Sequence, residues 1–61
     1  MTKSEIKEAA KIELYIQHGM ADTAARALSS LARSARTSKS QNELLALADK
    51  FNLRGHPEFR I

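Results

Sequence analysis

At 61 residues, with ten Lys or Arg against seven Asp or Glu and no Cys, the chain is one small domain, 1–61, that neither a disulfide nor a thiolate-held metal can brace. A single core of this size supplies only about 3–5 kcal/mol, which leaves close helix packing or self-association to make up what is missing. The longest unbroken apolar run, Leu44 to Ala48, falls far short of the roughly 20 residues of a bilayer span, and the charged start lacks the apolar stretch of a signal peptide. These features predict a soluble, cytoplasmic protein with no membrane contact.

The apolar residues are rich in Ala and Leu and include no Val, a mixture that favours helix over strand and predicts an all-α fold. Thr2-Lys3-Ser4-Glu5 has the spacing of a capping box, so the first helix is expected over about 3–18, with Gly19 placed to end it in the left-handed conformation. Asp22 is the expected cap of a second helix over about 22–37. Ser40-Gln41-Asn42-Glu43 repeats the capping-box spacing ahead of Leu44-Leu45, which places a third helix over about 41–52. Arg54-Gly55-His56-Pro57 breaks helices and leaves Glu58 to Ile61 as a short C-terminal tail. Connections of a few residues favour antiparallel neighbours, so the chain reads as a small three-helix arrangement.

Spaced at about 100° per residue, the second helix divides cleanly, with Ala24, Ala25, Leu28, Leu31, Ala32 and Ala35 on one side. The third divides similarly, with Leu44, Leu47, Ala48 and Phe51 inward. The first helix does not divide. Its Ile6, Ala9, Ala10, Ile12, Leu14, Tyr15 and Ile16 spread around most of the cylinder, more than two short neighbours can cover. The surplus predicts association as a helical homodimer and a protein-recognition surface formed by Ile6, Ile12, Glu13, Leu14, Tyr15 and Ile16. Glu13 and Gln17, one turn apart inside this region, either fix register between two chains or turn that edge of the helix to water.

A second candidate surface is the polar side of the second helix, where Arg26, Arg33 and Arg36 are interleaved with Ser29 and Ser30 and followed by Lys39. Arginine forks and small hydroxyls suit phosphate, which gives nucleic-acid binding as an alternative role. A helix-turn-helix reading fits poorly, because Asp22 occupies the position three after Gly19 where an apolar residue is usual.

Catalysis has no foothold in the sequence: there is no Cys, no nucleophile elbow, no phosphate-cradling glycine loop and no His paired with an acid at a useful spacing. His18 and His56, even with Glu58, lack a metal-ligand spacing, so neither a metal nor a cofactor is expected, and His18 is read as capping the end of the first helix. Phe59 and Ile61, two apart, either close the local core or extend toward a partner. The sequence therefore predicts a small non-enzymatic helical module or regulator that self-associates and binds a protein partner through the first helix.

Overall fold

The capping box forms as its spacing requires. Thr2 Oγ1 accepts from the Glu5 backbone N–H at 3.2 Å, and Glu5 Oε1 accepts from the Thr2 N–H at 2.7 Å, starting helix α1, Lys3–Gln17. At its other end Gly19 takes φ +73, while the Gly19 and Met20 N–H groups reach back to the carbonyls of Ile16 and Tyr15. That pair of bonds is the Schellman closure, and the left-handed residue it needs is the glycine. A computed structural model, describing residues 1–61, shows two further helices, α2 over Ala21–Arg33 and α3 over Ser38–Lys50, and no strand.

Three expected boundaries are corrected. Helix α2 starts after Met20 with no side-chain cap, and Asp22 lies inside its first turn, where a carboxylate still faces the positive end of the helix. It also stops at Arg33, about a turn early, so Arg36 and Thr37 fall in the connection to α3. Helix α3 begins a turn sooner than the Ser40 capping box implied: Thr37 is the cap, its hydroxyl accepting from the Ser40 N–H at 3.1 Å. Thr37 wins because its extended backbone (φ −129, ψ 156) points its oxygen along the new axis, and Ser40 is then buried in the first turn.

Asn52 ends α3. It holds φ +60, with the Asn52 N–H on the Asp49 carbonyl and the Leu53 N–H on that of Ala48, a second Schellman closure that swings Leu53 into the core. Asparagine is the non-glycine residue best suited to this conformation.

Helix α2 is the centre of the molecule. Helices α1 and α3 each pack against it and not against one another. Ala24, Ala25 and Ala32 are wholly buried on α2 and, lacking bulk, let both neighbours approach; Leu28 fills the space between. Ile12 comes from α1, Leu44 and Ala48 from α3, and Leu53 follows α3. The first turn of α1 lies beside Leu31 and Ser34, near the end of α2, and Gln41 of α3 donates to the Ala32 carbonyl. Both outer helices therefore run antiparallel to α2. One end of the molecule gathers the start of α1, the end of α2 and the start of α3.

The tail folds back over α2. His56 Nε2 lies 2.9 Å from Asp22 Oδ1, Glu58 pairs with Arg26, and Phe59 packs on the core while Ile61 stays 59% exposed. Of the two readings for this segment, Phe59 follows the closing one.

Candidate functional site

The first candidate surface is the outer face of α1. Ile6 and Leu14 are each 54% exposed, with Ala10 exposed between them. Spaced by four residues, the three make a ridge about 12 Å long on the side turned away from α2. Lys3 and Lys7 flank it on one side, and Glu13 and Gln17, both exposed, on the other. The Glu13–Gln17 edge thus faces water. Tyr15 and Ile16 are half-buried against the core, and Ile12 is 1% exposed. Ile12 consequently belongs to the α1–α2 seam and contributes nothing to an external contact, a correction to the six residues grouped by sequence. At 100° per residue these side chains are spread around the helix because α1 carries two apolar stripes, one centred on Ile12 and one on Ala10, and only the first meets α2.

The basic stripe expected on α2 is broken up in three ways. Arg26 donates from Nε and Nη2 to Glu58 Oε1, at 3.1 and 2.8 Å. Ser29 is buried, its hydroxyl donating to the Arg26 carbonyl at 3.0 Å, and presents no oxygen to a ligand. Arg36 lies beyond the end of the helix. Ser30 and Arg33 remain exposed on α2, and Lys39 stands in the first turn of α3.

A different grouping of charge replaces it. Among the ten basic side chains, Lys11 pairs with Glu8, Arg26 with Glu58 and Arg54 with Asp49, Lys50 lies over the Phe51 ring, and Arg60 donates to the Pro57 carbonyl. Lys3, Lys7, Arg33, Arg36 and Lys39 make no ion pair, and all belong to the first half of α1 or to the α2–α3 corner. With Lys7 one turn further along α1, Lys3, Arg33, Arg36 and Lys39 lie at the end where those elements meet. An open hollow of about 380 Å³ lies there, lined by Thr2, Ser4, Glu5, Leu31, Ser34 and Arg36.

The acids of this end are occupied. Glu5 is turned back on the Thr2 N–H, and Glu43 holds the Met1 ammonium at 2.7 Å, a bond that, with the nearby Lys39, keeps its carboxyl below the usual carboxylate range. Lys3 was missed by sequence reasoning because it is far from the arginines along the chain. The signal that would have found it is the antiparallel connection, which brings the start of α1 to the end of α2.

At the opposite end, His56 is held by two bonds: Nδ1 accepts from the Glu58 N–H at 3.1 Å, which leaves the proton on Nε2 to be donated to Asp22. Both groups serve to fasten the tail. No family model matches the chain, and no curated protein or solved structure matches it.

Proposed function

We propose that the protein is a small non-enzymatic binding module that self-associates, and recognises protein, through the outer ridge of α1. The observation that carries this reading is the exposure of Ile6 and Leu14 on either side of Ala10, bulky apolar groups left in water by a chain that buries little else on that helix. The occupant we assign is α1 of a second copy. Ala10 at the middle of the ridge lets two helix backbones come close, and Ile6 and Leu14 then cover each other's partners above and below. The charge pattern favours helices pointing the same way. A two-fold axis along the ridge sets the Lys7 flank of one copy against the Glu13 flank of the other, whereas the antiparallel arrangement sets Lys7 flanks together. The need for added burial in so short a chain supports the same reading.

Sedimentation or light scattering across a concentration series tests it. The unaltered chain should move reversibly from monomer to dimer as concentration rises, and Leu14→Glu should hold it monomeric with its helix content intact. A chain that remains monomeric at every concentration overturns self-association; a heterologous helix from another protein is then the occupant to seek.

A further inference from the structure

The end of the molecule where α1 begins, α2 stops and α3 begins has a chemistry of its own. Lys3, Arg33, Arg36 and Lys39 lie on three separate segments that meet there and form no ion pair, Lys39 standing near the already engaged Glu43, whereas most of the other cations are neutralised or engaged. Serine and threonine hydroxyls surround them: Ser4 and Ser34 at the hollow, Thr37 and Ser38 on the corner. Two helix N-termini against one C-terminus add positive potential on the same side.

We propose that this basic end binds the phosphate backbone of double-stranded nucleic acid, without reading base sequence. Separated cations interleaved with small hydroxyls match a ladder of phosphates, and the arginines supply forked donors to their oxygens. The form of the nucleic acid follows from where the aromatic residues lie. Single strands are held by stacking bases on exposed aromatic rings, but Tyr15, Phe51 and Phe59 are packed against the core, and none lies in the α2–α3 corner or the first turns of α1. What remains at the basic end is charge and hydroxyl, the set that follows a duplex backbone. Compared with a single face of α2, the surface loses Arg26 and Ser29 and gains Lys3. It shares no apolar residue with the α1 ridge; Lys3 alone lies on a flank of that ridge, and Arg33, Arg36 and Lys39 stand on other segments.

The test is fluorescence anisotropy with a labelled mixed-sequence DNA duplex, the matching single strand and phosphatidylserine vesicles, at low and physiological salt. Two variants of equal charge loss are compared. One carries Lys3→Gln, Arg36→Gln and Lys39→Gln; the other carries Lys11→Gln, Arg54→Gln and Arg60→Gln and leaves the Arg26 anchor of the tail in place. Circular dichroism confirms that both fold, as expected for Gln at exposed positions where it sits in helices about as well as Lys or Arg.

The duplex should bind saturably at low salt, with a log–log salt slope of about −3 to −4 for some four phosphates. The first variant should lose about tenfold or more in affinity and flatten the slope by about 3, and the second should change little. Equal losses in both variants, tighter binding to the single strand or to vesicles than to the duplex, or no duplex binding at low salt would each overturn the proposal.

Discussion

Glu58 Oε1 accepts from both the Nε and the Nη2 of Arg26, at 3.1 and 2.8 Å, and this one carboxylate oxygen joins His56 and Phe59 in fastening the end of the chain to the central helix. The hydrogen bond and charge of Arg26 hold the Glu58 carboxyl below the usual carboxylate range. A carboxylate that is more acidic folded than unfolded stabilises the folded tail above its unfolded titration range, and that contribution fades as pH falls through the folded one. The tail should therefore stay fastened through neutral and mildly acidic solution and loosen only at pH below the ordinary Glu range. In Glu58→Gln it should be loose already at neutral pH. Amide exchange at Phe59, whose N–H donates to the His56 carbonyl at 2.9 Å, reads this directly: faster exchange with helix content unchanged is the expected result. Unchanged protection would mean that Phe59 packing and the His56–Asp22 bond hold the segment without it.

The two glycines should respond differently to the same substitution. Neither has a heavy atom within 4 Å of an added Cβ, but Gly19 sits at φ +73 while Gly55 is outside the left-handed region. Gly19→Ala should cost about 1–2 kcal/mol from backbone strain. Gly55→Ala should be neutral or slightly stabilising, since it restricts the unfolded chain. Thermal unfolding separates them, because a loss of 1 kcal/mol lowers Tm by roughly 4–8 °C in a domain this small.

Helix α3 offers a test of which residue caps it. Thr37→Ala removes the hydroxyl that accepts from the Ser40 N–H and should cost about 1 kcal/mol, whereas Ser40→Ala should cost clearly less. Denaturant midpoints for the two variants give the order, and a reversed order would return the cap to Ser40.

Leu28 and Leu14 set the scale of burial. Leu28 is fully enclosed on α2, and Leu28→Ala should cost about 2–5 kcal/mol, comparable with all the stability a core of this size supplies. That variant should be largely unfolded at 25 °C by circular dichroism. Leu14→Ala, on the exposed ridge, should change the monomer's stability by no more than about 0.5 kcal/mol.

Three helices were legible in the sequence because their signals are local. The Thr2–Glu5 box and Gly19 act within a turn of themselves, and the clean division of α2 reports its burial directly. The starts that shifted are that of α3, where Thr37 and Ser40 compete as caps, and that of α2, which begins at Met20 with no side-chain cap and passes over Asp22; α2 also ends about a turn early, at Arg33. Ser29 could not be placed by type: a hydroxyl that satisfies itself on the Arg26 carbonyl is as content inside as outside. The pairing of Arg26 with Glu58 spans 32 residues, beyond any local pattern, and it altered the candidate surface most.

Since α1 and α3 meet only α2, the molecule has two helix seams, with the Met1–Glu43 ion pair the one tie between the outer segments. Separation along the α1 seam withdraws Ile12 from the core but leaves α2, α3 and the tail joined through Leu28, Leu44, Ala48 and Leu53. Loss of α2 removes both seams together. α1 can part from α2 without disturbing the α2–α3 seam, turning on Gly19. An α1 so released carries both of its apolar stripes into solution, and the surface waiting for the Ile12 stripe on a neighbouring copy is the same one it has just left.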